Sequence, residues 1–392
     1  MTGKERMKIA MQCGIPDTVP VMCQLSLGHY FIYSGFDPLE IWYTSEGFSD
    51  ALIALQRRYK FDGILVNLHG RPANWKKYIH KITEQGSEKK IWWNNGCYTL
   101  FPENDNPHYY QKDGTIKFPS FEQIDPQKLF YVDPWQITGI NYPFKWDFDE
   151  TERPKEDFFP PYITDTLKMV IAKTRSQISV HGEVYSPFSQ FLELLNYEEA
   201  LMALLTDPEK THACLKALTE GTISLGKLEA ASGADAVLIS SAFAGSGFIS
   251  RELYQNFVLP YEKAIISGIK AVHDIPVYTH TCGGIGDRLD LMIETGTDGI
   301  DTLDPPPLGT VELEEAVAQT KGKVFIKGNI DPVNELLNGS DDAIEKAVCR
   351  RLQIAKPGGG YILSTACSVS PRTPPRNIEL LSRVGREFGK YE

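Results

Sequence analysis

His280 and Cys282 stand two positions apart in the stretch PVYTHTCGGIG (276–286), directly after an apolar run and directly before glycines. Cys367 closes another apolar run, GGYILSTAC, far along the chain. Imidazole and thiolate are the donors that a borderline ion such as Zn2+ prefers, and three protein ligands with an open fourth position describe a catalytic zinc site. Residues two apart on a strand project to the same side, so His280 and Cys282 can reach one ion together. The competing reading is structural, with Cys282 and Cys367 as small buried residues and His280 as a hydrogen-bonded one. Spacing alone does not choose between them.

The elements that would carry these side chains can be read from short β-branched or apolar runs bounded by Gly, Pro or Asp. There are eight: 18–24, 61–68, 176–184, 234–241, 275–281, 297–304, 322–329 and 359–367. Most are continuously apolar, as parallel strands covered on both faces must be. Helical patterns lie between them, notably over 187–233 and 341–359, each running out at glycine. Eight strands alternating with helices predict an α/β fold of the (β/α)8 TIM barrel type, one domain over 1–392. An open doubly wound sheet would want a glycine-rich phosphate fingerprint after its first strand, and PVMCQLSLGHYF has none. Residues 70–160, between the second and third predicted strands, break the rhythm with aromatics, Asn and Pro. A structureless loop of that length is implausible in a compact domain, so a β-rich inserted cap is expected there. A cap placed on a strand-to-helix connection opens onto the catalytic face of a barrel.

On a barrel the C-terminal strand ends define the site. They present Cys23 and Gln24, Asn67 and His69, His181, Glu183 and Tyr185, Ser240 and Ser241, His280 and Cys282, Asp301 and Asp304, Lys327 and Asn329, and Cys367. Glu183 and His69 are the candidate proton-transfer groups, since a buried carboxyl with a raised pKa suits a general acid. A salt-bridged strand-end carboxylate is the bland reading of Glu183. His181 is expected on the other side of its strand. Gln24, Asn67 and Tyr185 are candidate substrate contacts. Asp301 and Asp304 are expected to fix the His280 tautomer. Lys327 is expected in a salt bridge.

Composition bounds the rest. With 42% hydrophobic and 23% charged residues the chain can bury a large core. A net charge of -11 and a pI near 5.3 argue against a phosphate-neutralising nucleic-acid surface. The first residues, MTGKERMKIAMQCG, show no apolar leader, and no apolar run is long enough to span a membrane, so a cytoplasmic protein is expected. Seven scattered cysteines favour free thiols or metal ligands over a disulfide framework. An exposed helix face could support a homodimer.

The phrases HTCGGIGDRLDLMIETGTDGID, KGNIDP and GGYILSTACSVSPRTPPRNIELL, with FISRELYQNFVLPYEKAI ahead of them, resemble the uroporphyrinogen decarboxylase superfamily. They look most like its corrinoid-dependent methyltransferases, whose H-x-C…C motif binds zinc. The resemblance covers rather more than the C-terminal half well, DTVPV and FDGILVN loosely, and 70–160 hardly at all. It implies a (β/α)8 barrel with His280, Cys282 and Cys367 as zinc ligands. It also implies cobalamin as the second cofactor, held by a small corrinoid-binding partner protein. The decarboxylases' RQAGR signature is missing, because the corresponding stretch reads CQLSLGHYFIYSG with no arginine. Methyl transfer is therefore expected before tetrapyrrole decarboxylation. Trp75, Trp92, Trp93, Tyr98, Trp135 and Phe144 could enclose an aryl methyl ether by stacking, with Trp93 as a substrate contact. O-demethylation of an aryl ether is thus the expected reaction, with methyl transfer to a thiol such as coenzyme M as the alternative and a decarboxylase-like lyase as a further one.

Overall fold

The computed structural model describes residues 1–86, 88–116, 118–133 and 155–391. Trp135 and Phe144, two of the cap aromatics singled out above, lie outside the described residues. Seven strands form one parallel sheet: β1 (Gly63–Val66), β6 (Ser179–Tyr185), β7 (Ala236–Ser240), β8 (Val277–Thr281), β9 (Gly299–Thr302), β10 (Phe325–Ile330) and β11 (Tyr361–Thr365). Their order in the sheet is their order in the chain. Four further strands, β2 (Ile79–Gln85), β3 (Glu88–Trp93), β4 (Tyr98–Phe101) and β5 (His108–Tyr110), make a separate antiparallel sheet between β1 and β6.

The first predicted strand, 18–24, is not a strand of the ladder. Val21 and Leu25 make single parallel bridges to Leu363 and Val369. Met22 N–H reaches the Leu363 carbonyl at 3.0 Å, and Leu363 N–H reaches that of Pro20 at 2.9 Å. On its other flank Asp62 N–H donates to the Val21 carbonyl at 2.8 Å, while Val21 N–H goes to the Asp62 side chain at 2.8 Å. A proline without a donor and a carboxylate that captures the next N–H leave a connected but irregular segment. Both edges of the parallel sheet are therefore hydrogen bonded to the same stretch of chain.

Alternation along the strands creates two cores. One face buries Leu65, Ala236, Leu238, Tyr278, Phe325 and Ile362 together with Met22, and the helix Gly3–Met11 fills it from one end with Met7, Ala10 and Met11. The opposite face packs Val66, Val180, Val184, Val237, Ile239 and Val277 against the surrounding helices. The helical run over 187–233 is three helices, Pro187–Leu195, Tyr197–Thr206 and Pro208–Ala231. Asn196 and Asp207 divide it because their side chains accept the N–H groups of Glu199 and Lys210, each capping the helix that follows.

The antiparallel sheet carries Trp92, Trp93, Tyr98, Phe101, Tyr109 and Tyr110. Trp75 stacks on Tyr43 at 4.5 Å, and Trp93 meets Tyr43 edge-on at 5.5 Å while donating its indole N–H to Thr99. On the other face Lys90 sits over Tyr98 at 3.6 Å, and Tyr98 stacks on Tyr110 at 5.0 Å.

Asp62 ties the irregular segment to the sheet, since it also takes the Arg6 guanidinium at 2.6 Å in a buried pair. Asp62→Ala is expected to destabilise the fold by roughly 1–3 kcal/mol, because the buried Val21 N–H loses its acceptor while Arg6 keeps Asp17. Chemical denaturation with circular dichroism checks this, and a loss below about 1 kcal/mol contradicts it.

Candidate metal centre

His280 stands next to last on β8, and the chain carries Cys282 to the same side two residues later. Cys282 Sγ lies 3.4 Å from His280 Nε2 and 3.6 Å from Cys367 Sγ, and the three donor atoms all fall within 4.8 Å of one another. A tetrahedral ion with bonds of about 2.3 Å to sulfur and 2.0–2.1 Å to nitrogen spaces its donors by roughly 3.6–3.8 Å. The observed edges match that figure, and they are far beyond the disulfide bond length of about 2.05 Å. All seven cysteines are free thiols.

The imidazole is oriented from behind. His280 Nδ1 faces Asp301 Oδ2 at 3.1 Å, and Asp301 Oδ1 accepts from Lys327 Nζ at 2.8 Å and from Thr302 N–H at 3.0 Å. The carboxylate places the proton on Nδ1 and leaves Nε2 to the thiols, which is the arrangement a metal-binding histidine requires. Asp304, the other expected partner of His280, instead accepts the N–H of Gly283 at 2.6 Å. It shapes the loop after Cys282, where Gly283 takes φ +77°.

The electrostatics follow from this packing. A hydrogen bond from Cys282 holds the Cys367 thiol well below its ordinary range, and the same contact drives Cys282 well above it. Burial works against a charged His280, yet the Asp301 hydrogen bond and the Cys367 sulfur carry it up to about 10. Such donors take up a divalent cation with loss of protons from the thiols and the imidazole.

Glu183 lies on β6 and is almost fully buried, which pushes it up to about 7 against the opposing charge of His280. His181 does not turn to the other side. It shares the face of Glu183, as a two-residue period demands, and is deeply buried between Ser179 Oγ at 2.9 Å and Tyr278 OH at 2.8 Å. Burial drives it down to about 3. His69 is likewise pushed down to about 3 by burial and lies 3.6 Å from Glu229 Oε1. A histidine held so low is neutral at pH 7, with one ring nitrogen a donor and the other an acceptor. Gln24 and Asn67 share a narrow crevice with Cys23 and Tyr30. Tyr185 is buried beside Glu183, whereas Trp93 lies in the core of the antiparallel sheet described above.

Three groups near Glu183 were not among the sequence candidates. Glu229 comes from the helix Pro208–Ala231, and Tyr131 and Asp133 come from the segment returning from the antiparallel sheet. A carboxylate on an otherwise apolar helix face was the available signal for Glu229. Nothing local marks Tyr131 or Asp133, whose position depends on a fold-back towards the end of β6.

The uroporphyrinogen decarboxylase (URO-D) family model matches residues 139–388. A methylcobamide:CoM methyltransferase of Methanosarcina acetivorans is 27% identical over 229 residues, 58% of this chain and 64% of that protein. A uroporphyrinogen decarboxylase of Vesicomyosocius okutanii is 28% identical over 235 residues, 58% of this chain and 65% of that protein. The chain thus spans just under two thirds of the length of these curated relatives. A methyltransferase structure from Methanosarcina mazei superposes with a TM-score of 0.71 over 99% of both chains at 16% identity, which shows a shared fold. The matched residues hold six of the seven parallel strands and all three donor side chains, and the chain belongs to the uroporphyrinogen decarboxylase family.

Proposed function

We propose that the protein is a corrinoid-dependent methyltransferase, in which a methyl group moves between a corrinoid carried by a small partner protein and a small-molecule thiol. The carrying observation is the compact trio His280, Cys282 and Cys367, with the imidazole oriented by Asp301. In this reading the parallel sheet and the segment 18–25 form a closed (β/α)8 barrel, residues 1–392 are one domain, and 70–160 are its cap.

Zinc fits the donor set, and when bound it supplies the Lewis acidity that turns a thiol into a nucleophilic thiolate. His280, Cys282 and Cys367 would hold it. Asp301 keeps the imidazole turned, and Lys327 keeps Asp301 ionised in a dry environment. Glu183, poised near neutrality, takes the proton that the thiol releases. The barrel mouth must also admit the corrinoid partner.

The aryl methyl ether reading drew on the inserted aromatics. Trp75 and Trp93 are spent on Tyr43 and Thr99, and Tyr98 is spent on Lys90 and Tyr110, so that support weakens. The thiol is favoured instead. Tetrapyrrole decarboxylation lacks a carboxylate grip, because residues 23–35 contain no arginine.

Incubation with methylcobalamin and a panel of thiols, methoxylated aromatics and a porphyrinogen discriminates the three. Loss of the methylcobalamin spectrum with thiols alone is expected, and demethylation of an aryl ether or release of CO2 would replace this reading. Elemental analysis should find about one zinc per chain, falling below about a tenth in Cys282→Ala or Cys367→Ala. Asp301→Asn should weaken zinc binding by roughly 10–100-fold in a chelator competition while all three donors remain. Glu183 acts as a base, so kcat should rise as pH passes through about 7 and level off above it. Glu183→Gln should remove that limb and lower kcat by about 100-fold or more; an unchanged pH profile would exclude the role.

A further inference from the structure

β9 does not leave the sheet as a regular strand. Thr302 takes φ +93° and Leu303 φ +59°, two consecutive residues that carry a Cβ in the left-handed region. A β-branched residue there is an outlier, and such backbone persists only where its surroundings over-determine it. Plain alternation would turn Asp301 and Asp304 to opposite faces of the sheet. The corner instead brings both to the metal donors. Asp301 Oδ2 faces His280 Nδ1 at 3.1 Å, and Asp304 Oδ2 accepts the N–H of Gly283, next to Cys282, at 2.6 Å.

Three side-chain hydrogen bonds hold the corner. Thr302 N–H donates to Asp301 Oδ1 at 3.0 Å, Thr302 Oγ1 donates to the Thr281 carbonyl on β8, and the Leu303 carbonyl accepts Asn329 Nδ2 from β10 at 2.8 Å. The last of these is anchored from outside the corner. Asn329 is 2% exposed; its Oδ1 accepts Arg351 Nε at 3.2 Å and its carbonyl accepts Arg351 Nη2 at 3.3 Å. Arg351, buried as well, is held by a two-pronged pair with Glu335 at 2.8 and 2.7 Å. With a guanidinium on its oxygen, the Asn329 amide has only its donor to offer Leu303. Cys367 is held separately, by Thr365 Oγ1 on its carbonyl at 2.6 Å.

We infer that Asn329, oriented by Arg351 and Glu335, is a positioning residue of the metal centre. By holding the Leu303 carbonyl it keeps the corner turned, and so sets Asp301 against His280 and Asp304 against the turn after Cys282. This deepens the proposed function and rests on it for the metal, not for the substrate. A relaxed corner would shift two of the three donors relative to Cys367. The cost would fall on the metal before it fell on the fold.

Asn329→Asp tests this, because it keeps the volume and the acceptor for Arg351 and removes the donor to Leu303; Arg351 keeps the new carboxyl ionised. Zinc affinity in a chelator competition is expected to fall roughly 10-fold. The thiolate-to-cobalt absorption of the Co2+-loaded chain should weaken with it. Asp62→Ala, which loosens the fold away from this corner, is the control for general destabilisation and should leave both readings unchanged. In the metal-free chain, hydrogen exchange at the Gly283 amide should quicken by about 10-fold in Asn329→Asp while β6 keeps its rate. Arg351→Lys, which keeps a cation but loses the fork, should show the same changes at smaller amplitude, and it carries the test if Asn329→Asp does not fold. Unchanged zinc affinity in a folded variant overturns the inference and leaves the metal reading standing. A wild-type chain that takes up no zinc removes the metal reading, and the exchange ratio then decides alone whether Asn329 sets the two carboxylates.

Discussion

The buried carboxylate of Asp301 is the group on which the site depends. In the parallel register His280 on β8 and Lys327 on β10 both pair with Asp301 on β9. Three adjacent strands therefore place a base, an acid and an ammonium side by side without any loop having to find its position. Burial alone would protonate Asp301, but the charges of Lys327 and His280 hold it below the usual carboxylate range. A charge kept in such a place is stable only with both partners present. The register of the sheet and the electrostatics of the metal donors are consequently one constraint.

That constraint is supported by the separation of the two cores. The inner face of the sheet is apolar where the helix Gly3–Met11 fills it, and it becomes polar through His181 and Tyr278, then Asp301 and Lys327, and then the cysteines. The apolar layer excludes water from beneath, which strengthens every ion pair above it. The outer face holds the helices, which bury polar groups of their own, among them Glu262, hydrogen bonded to Tyr254, and Glu229, a carboxyl packed against Gly182 where a side chain would collide with it.

The inserted residues take two different parts. The antiparallel sheet spends its aromatics on packing, with Trp93 and Trp75 around Tyr43 of the helix Pro38–Tyr43, in one core with the helices. The returning segment packs beside the parallel sheet, because Gln190 and Gly221 fasten it near β6. Aromatic richness was thus a sign of folding.

The strand runs at 61–68 and from 176 onward were legible because parallel strands covered on both faces must be apolar throughout, and the structure places a strand within each. The H-x-C spacing was legible for a similar reason, since a two-residue period turns both side chains the same way whatever surrounds them. The same period settles His181, which shares the face of Glu183. Local patterns could not show that Pro20 and the Asp62 carboxylate would leave the first segment irregular, because that outcome depends on which neighbour the segment meets. They could not choose Asp301 over Asp304 as the partner of His280 either; only the register between β8 and β9 decides it. The charges felt by Glu183 and Tyr185 include that of Asp133, which comes from a separate part of the chain. Local sequence determined the strands and the soft donors, because backbone periodicity and ligand chemistry act over a few residues. Tertiary structure decided how those donors are oriented and charged, because burial and Coulomb interaction depend on neighbours that are distant in sequence.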